Sequence, residues 1–216
     1  MSPRVDKQRF KSLWNRCKTD VGAGVDADDV YEELKDYYSE KGRHYHTPKH
    51  IEHCLAQFDL AAGEMEMADA VEMAIWFHDL IYKVDANDNE LQSARRFMEL
   101  AGDSMDAGFK STVYDLIMAT APPRMPKTKD EKFMLDIDLS SFGLPWKDML
   151  RDSIAVRKES PQLSDEQFFP GQRAFLESLV NREHFYFTEF FRSRIEDTAR
   201  RNIKRYLKNL TEQGND

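Results

Sequence analysis

The sequence has few cysteines and lacks any long apolar run. Its 216 residues contain only Cys17 and Cys54, too few for a disulfide framework, so we expect a reducing, cytoplasmic setting. The first ten residues, MSPRVDKQRF, contain no apolar signal core. No segment approaches the ~18 apolar residues that a membrane span requires. We therefore expect a soluble protein that has no membrane partner.

The chain also lacks an excess of positive charge. It has 31 Lys and Arg against 39 Asp and Glu, a formal net charge of -8. A protein that grips a nucleic acid polymer usually carries a basic stripe, so such a partner is disfavoured. An anionic substrate would need a local positive centre, such as a metal ion or a few arginines. The hydrophobic content of 41% is enough for a sizeable core.

Helical periodicity is present along most of the chain, and convincing strand patterns are absent. Apolar residues recur at steps of three and four, and Gly and Pro separate the segments. The sequence predicts an all-α, compact helical bundle in a single domain over 1–216. The helices are expected at 5–19, 26–40, 48–62, around 67–82, 89–100, 106–120, 128–141, 146–158, 164–180 (interrupted at Pro170-Gly171) and 188–210.

The dipeptide His78-Asp79 lies in step with a helical apolar stripe that runs from Met67 to Tyr82. An ionisable group placed against a core needs a partner, because an unpaired buried polar group costs ~1–3 kcal/mol. One divalent metal ion would satisfy both groups, since imidazole and carboxylate are good ligands. For an isolated dipeptide, a core histidine bonded to a carbonyl beside an aspartate near a helix end is the commoner explanation. The rest of the chain has to decide between the two.

His46 and His50 bracket a helix start at Thr47-Pro48, with a capping hydroxyl followed by proline at the first helical position. His50 lies four residues before Cys54 on the inward stripe and can face the core. His46 falls just outside the helix. The spacing suits one histidine as a metal ligand and the other as an acid or a phosphate contact at the mouth of a site.

Asp136 and Asp138 are the next ligand candidates. Two residues apart on a helix, they point about 200° away from each other, so only one can face a site squarely. Met134 and Phe142 lie four residues either side of Asp138, which makes its row apolar. Asp136 has Lys132 and Ser140 at the same spacing and is expected at the surface. We therefore expect Asp138 to be the ligand.

The order His50, His78-Asp79, Asp138 resembles the H…HD…D signature of the HD superfamily of metal-dependent phosphohydrolases. Most of the chain also resembles a group of bacterial proteins identified as predicted HD-superfamily phosphohydrolases. The segments that carry the resemblance are RHYHTPKHI (43–51), WFHDLIY (76–82), DNELQSA (88–94), LDIDLSSFG (135–143), RKE (157–159), GQRAFLESL (171–179) and ARRN (199–202). The resemblance implies an HD-type helical core at about 43–145, with additional helices at both ends.

The resemblance also implies roles for individual residues. His50, His78, Asp79 and Asp138 would hold one divalent ion (Mn²⁺, Mg²⁺, Fe or Zn²⁺) that activates water for attack on phosphorus. His46 matches the position of a proton donor to the leaving oxygen.

Many superfamily members carry further histidines after HD that hold a second metal. Asn89-Glu90 stands at about that point of this chain, which argues against a two-metal site. Glu90 would orient water or a metal ligand, or would be an exposed residue of a helix start.

Arginine is the natural fork for phosphate oxygens, and Arg43 is our candidate for substrate binding because it lies three residues from His46. Arg157, Arg173 and Arg200 have acidic neighbours and are expected in structural ion pairs. His53 is expected on an outer face, and His184 in aromatic packing.

The sequence therefore predicts a phosphohydrolase that acts on a small phosphorylated compound such as a nucleotide. The alternative is a non-catalytic helical module that binds metal or senses a ligand. An open coordination position would separate the two. An oxygen-using iron enzyme is a weaker third hypothesis, because the additional histidines of such sites are absent.

Overall fold

A computed structural model describes residues 6–19, 24–121 and 125–213 of the chain. These residues form ten α-helices and two short 3₁₀ turns, 62–64 and 139–143, and they contain no β-strand. The all-α class predicted from the sequence is confirmed, and the HD-type arrangement stays a prediction. The helices are α1 Lys7–Cys17, α2 Ala27–Tyr38, α3 Pro48–Ala61, α4 Ala68–Phe77, α5 Asn89–Ala101, α6 Ala107–Ala119, α7 Lys129–Asp138, α8 Trp146–Lys158, α9 Asp165–Val180 and α10 Glu189–Gln213.

Local sequence signals account for many helix ends. Asp6, Asp26 and Asp106 cap α1, α2 and α6 with side-chain carboxylates that accept backbone N–H bonds. Gly102 follows α5 with φ of +47°, a conformation that favours glycine. Thr47 precedes α3 as predicted, but its side chain makes no capping hydrogen bond, so Pro48 provides the start signal.

The chain divides into two compact units, residues 1–137 and 138–216. The single domain expected over 1–216 stays a prediction. The first unit is built around α4, which packs against α1, α3, α5 and α6. Every α4 residue from Ala70 to Phe77 is buried. Each large apolar side chain buried there contributes about 1.5–3 kcal/mol to stability.

Asp130 connects the start of α4 to α7. Asp130 is 6% exposed, and its carboxylate accepts hydrogen bonds from the backbone nitrogens of Glu66 (2.9 Å) and Met67 (2.8 Å). These are donors that precede or begin a helix and have no acceptor inside it. The bonds fix the two residues that directly precede α4 to the first turn of α7.

In the second unit, α10 packs against α8, α9 and the 3₁₀ turn. The amide of Asn202 donates to the carbonyls of Phe142 and Leu144, each at 2.8 Å, and ties the end of the turn to α10. The expected break at Pro170-Gly171 is wrong, because α9 continues through Pro170. Pro170 is the sixth helical residue and is exposed, so the one bond it removes would have ended at an exposed carbonyl in the first turn.

Among the described helices, none combines the length and the apolar character that crossing a membrane would take.

Candidate metal centre

The structure brings the four predicted ligands together. His50, His78, Asp79 and Asp138 each offer one ligand atom, and these atoms all lie within 4.8 Å of one another. His50 is the third residue of α3, His78-Asp79 directly follows α4, and Asp138 is the last residue of α7. Three helix ends therefore supply the group, which we call the His/Asp group.

The spacing of the donor atoms fits a metal ion. His50 Nε2 lies 3.2 Å from His78 Nε2, and Asp79 Oδ2 lies 3.0 Å from His78 Nε2 and 3.4 Å from His50 Nε2. Ligand atoms about 2.1 Å from one ion lie about 3.0 Å apart in octahedral geometry and about 3.4 Å apart in tetrahedral geometry. Two imidazoles and two carboxylates suit Zn²⁺, Fe²⁺ and Mn²⁺. The donor set, and the distances among His50, His78 and Asp79, fit a divalent ion.

A backbone contact sets the tautomer of His78. Its Nδ1 lies 2.9 Å from the carbonyl oxygen of Ile75, and a carbonyl only accepts hydrogen bonds. Nδ1 therefore carries a hydrogen, and Nε2 points at the other members of the His/Asp group, where its lone pair would be available to a metal ion when the ring is neutral. Metal-bound histidines are commonly fixed in this way, which orients the ring and raises its basicity.

Asp79 is ionised in this environment. Burial on its own raises the pKa of a carboxyl group, but the adjacent imidazoles of His78, His46 and His50 outweigh it and hold the pKa of Asp79 well below its usual value. The side chain is 17% exposed, whereas the side chains of His50 and His78 are each 1% exposed. A charged carboxylate thus faces two sealed imidazoles from the more open side.

The helix that leads to His78-Asp79 ends earlier than the apolar stripe predicts. Regular α4 stops at Phe77, and the segment from His78 to Tyr82, expected to be helical, forms turns. The predicted burial of His78 is confirmed. The sequence pattern continues because Leu80 and Ile81 are apolar, but hydrogen bonds from other elements end the helix.

Two bonds from other helices go to carbonyls at and beyond the end of α4, and a third bond is made within the turn itself. The buried hydroxyl of Tyr38 donates to Trp76 O at 3.0 Å. The hydroxyl of Ser93, itself fully buried, donates to Ile81 O at 3.3 Å and accepts from Ile81 N at 3.0 Å. The backbone nitrogen of Leu80 donates to Phe77 O at 3.0 Å. The chain around the dipeptide is therefore held at backbone atoms from several sides.

Sequence reasoning missed Tyr38 and Ser93. One signal was available, because a tyrosine on an apolar helix face needs an acceptor for its hydroxyl group. The position of that acceptor, beyond another helix end, is not written in the local sequence. Ser93 offered no signal beyond its small size on the buried face of α5.

Arg43 lies against the same turn. Its Nη1 donates to the carbonyl of Asp79 at 2.7 Å and its Nη2 to that of Leu80 at 2.6 Å. Nη1 also reaches the carbonyl of His46 at 3.4 Å, and Nε and Nη2 both contact Glu40 at 3.3 Å. The side chain is only 3% exposed. With its N–H groups on protein acceptors, Arg43 gains no support from this geometry as a phosphate fork.

His46 lies beside the His/Asp group and outside it. Its ring stacks on Tyr82 with centroids 4.0 Å apart, and the ring of Tyr45 meets it edge-on at 5.0 Å. Nε2 lies 4.0 Å from Asp79 Oδ2, and the side chain is 16% exposed. His46 is thus more open than His50, as the sequence predicts.

Of the two aspartates in LDIDLSSFG, one lies where the sequence predicts and the other does not. Asp138 belongs to the His/Asp group, as predicted. Asp136 is fully buried, so the expected surface position is wrong. The inference relied on Ser140 being exposed, but Ser140 is buried, because α7 gives way to a 3₁₀ turn after Asp138 and the helical rows do not continue.

Glu90 is the second residue of α5 and is half-buried. Within the part of the chain that the structure describes, no hydrogen bond or ion pair joins it to the His/Asp group, and its catalytic role stays a prediction. His53 is half-buried on α3. His184 is exposed, so its expected place in aromatic packing is wrong.

The other three arginines have structural partners, as expected. Arg157 pairs with Asp165 at 2.9 Å, Arg173 with Glu177 at 3.6 Å, and Arg200 with Glu196 at 2.9 Å. Arg157 and Arg200 also donate to several backbone carbonyls near helix ends, Ser160, Leu163, Val180, Arg182 and Glu183.

Comparison with known proteins adds no relative: no family model, curated protein or solved structure matches the chain.

Proposed function

We propose that the chain is a metal-dependent phosphohydrolase that cleaves a phosphoester or phosphoanhydride of a small molecule such as a nucleotide. The observation that carries the proposal is the His/Asp group, which places four donor atoms within 4.8 Å of one another beside a more open histidine. The likeness of the H…HD…D order to HD phosphohydrolases supports the same reaction class.

Access to solvent favours catalysis over a purely structural metal. The histidine side of the His/Asp group is sealed, with 1% exposure for both side chains, while Asp79 and the adjacent His46 are 17% and 16% exposed. A catalytic metal site keeps a position open for water or substrate, whereas a structural site is closed by protein. The more exposed Asp79 lies 4.0 Å from Nε2 of His46, the residue that would donate a proton.

A divalent ion at this centre would polarise a phosphoryl oxygen and lower the pKa of water for attack on phosphorus. The residues of the chain would do the rest. His46, held against Tyr82, would give its proton to the leaving oxygen as the P–O bond breaks. Glu90 would orient the attacking water. The ionised Asp79 would supply negative charge that retains the cation.

The metal assignment is tested by Asp79→Asn. Wild-type protein stripped with a chelator and reloaded with Mn²⁺ should bind one equivalent by elemental analysis, and Asp79→Asn should bind none. Asp69→Asn is the matched control, because Asp69 is an exposed carboxylate on α4 that pairs with Arg16. Full stoichiometry in Asp79→Asn would sink the site assignment.

The reaction is tested by a panel of nucleotides and phosphomonoesters with Mn²⁺, Mg²⁺, Fe²⁺, Co²⁺ and Zn²⁺, with Asp79→Asn as the blank. His46→Ala should retain metal and release phosphate about 10²–10⁴-fold more slowly, the range that general acid catalysis contributes. Unchanged turnover would remove the acid role of His46. Full metal loading without hydrolysis of any compound would favour the non-catalytic module instead.

A further inference from the structure

We propose that Arg43 is a positioning residue of the metal centre. It holds Asp79 and His46 in place by donating hydrogen bonds to their backbone carbonyls. The inference rests on the proposed metal site. It assigns to Arg43 a role that needs no contact with substrate or metal.

The contacts of the guanidinium group connect two separate segments. Nη1 donates to Asp79 O at 2.7 Å and reaches His46 O at 3.4 Å, and Nη2 donates to Leu80 O at 2.6 Å. Asp79 and Leu80 belong to the turn after α4, whereas His46 belongs to the segment before α3. One side chain therefore fixes the backbone of the aspartate ligand and that of the proton donor.

The guanidinium group is itself held in place. The side chain is 3% exposed, and its Cζ atom lies 5.3 Å from the ring centroid of Tyr38 and 5.8 Å from that of Tyr82. Tyr82 also stacks on the ring of His46 at 4.0 Å. Arg43 thus supports His46 twice, at its carbonyl and through the ring that packs against its imidazole.

The geometry requires arginine rather than lysine. Two successive carbonyls, Asp79 and Leu80, are met by two nitrogens of one planar group, while a third nitrogen faces Glu40. A planar fork with five N–H donors in fixed directions matches this pattern. A lysine ammonium at the same place can meet one carbonyl well, and the other would lose its charged donor.

The proposal is tested with Arg43→Lys and Arg43→Ala, with Mn²⁺ and Co²⁺ as probes. Both variants should bind Mn²⁺ about 10–100-fold more weakly than wild type, the usual effect of losing a residue that orients a metal ligand. The visible spectrum of bound Co²⁺ should change, because that spectrum reports coordination geometry. Millimolar guanidinium ion should partly restore both signals in Arg43→Ala and leave wild type unchanged.

Arg96→Ala is the matched control. Arg96 is a partly buried arginine of the same unit, and its guanidinium pairs with Glu33 at 2.6 Å and Glu99 at 2.8 Å. Its removal should lower stability to unfolding while leaving Mn²⁺ affinity and the Co²⁺ spectrum as in wild type. A purely structural role for Arg43 would make the Arg43 and Arg96 variants behave alike.

The outcomes separate the two proposals. If wild type binds neither Mn²⁺ nor Co²⁺, the metal centre fails, and the positioning role fails with it. If wild type binds both ions and Arg43→Lys matches its affinity and its spectrum, the metal centre stands and the positioning role is overturned. Arg43→Lys keeps the positive charge in the site, so it provides this comparison even where Arg43→Ala does not fold.

Discussion

The carboxylate of Asp130 holds the start of α4, and its removal should destabilise the protein strongly. Asp130 accepts from Glu66 N at 2.9 Å and Met67 N at 2.8 Å, and its side chain belongs to a residue that is 6% exposed. Asp130→Ala removes both acceptors at once. Two backbone donors at the beginning of the central helix then have no partner in the folded chain.

The magnitude follows from the two bonds. A hydrogen bond to a charged group contributes about 1.5–3 kcal/mol, and two bonds to one carboxylate do not add fully. Water can reach the partly buried nitrogens and recover part of the loss. We expect Asp130→Ala to lower the free energy of unfolding by about 2–4 kcal/mol, against a typical total of about 5–15 kcal/mol.

Two further variants give reference values for the stability that Asp130→Ala loses. Asp130→Asn keeps one oxygen acceptor and replaces the other with a donor, so it should cost at least half as much as the alanine variant. Asp106 makes the same pair of backbone contacts at the start of α6, to Gly108 and Phe109, but it is exposed. Asp106→Ala should cost only about 1 kcal/mol, the usual loss for a helix cap.

The assay is urea unfolding followed by far-ultraviolet circular dichroism, with chelator present so that metal binding makes no contribution. The midpoint should fall in the order wild type, Asp106→Ala, Asp130→Asn, Asp130→Ala. The reasoning is refuted if Asp130→Ala loses no more stability than Asp106→Ala, or if Asp130→Asn unfolds with the wild-type midpoint.

Two other predictions concern glycine packing and thiol reactivity. Gly143→Ala should lower the free energy of unfolding by about 1–3 kcal/mol, because the new Cβ would lie 2.7 Å from Ile195 Cβ. Gly171→Ala should raise it by about 0.5–1 kcal/mol, because a Cβ at this position of α9 would meet open space. Equal unfolding midpoints for the two variants would contradict this. Burial and the nearby Asp69 raise the pKa of the Cys17 thiol to about 12. At pH 8 its thiolate fraction is roughly a thousandfold below that of a free cysteine, so alkylation followed by mass spectrometry should be correspondingly slow, and labelling at the free-thiol rate would refute it.

Helix positions were largely predictable, because each depends on a short stretch of chain. The expected spans 26–40, 106–120 and 146–158 agree with the observed helices to within two residues at each end. Capping aspartates, apolar periodicity and glycine stops are all local signals. The end of α4 was not predictable in this way, because the hydroxyl of Tyr38 and the guanidinium of Arg43 come from distant positions.

The residues of the His/Asp group were predictable from the sequence, whereas the residues that hold them in place were not. His50, His78-Asp79 and Asp138 could be proposed because ionisable residues in apolar rows are unusual, and the structure brings them together. Arg43 was assigned to substrate because it lies close to His46 in sequence. Sequence distance gives no sign that its N–H groups end on the carbonyls of Asp79 and Leu80.

The turn after α4 has a consequence for how such centres should be recognised in other proteins. The chain at the dipeptide is held by Tyr38, Arg43 and Ser93, all of which act on backbone oxygens. A related chain could therefore keep all four residues of the His/Asp group and still lose their arrangement through one change among these three supporting residues. A search pattern that spells only the ligands would score such a chain as intact, so a diagnostic signature needs the supporting residues as well.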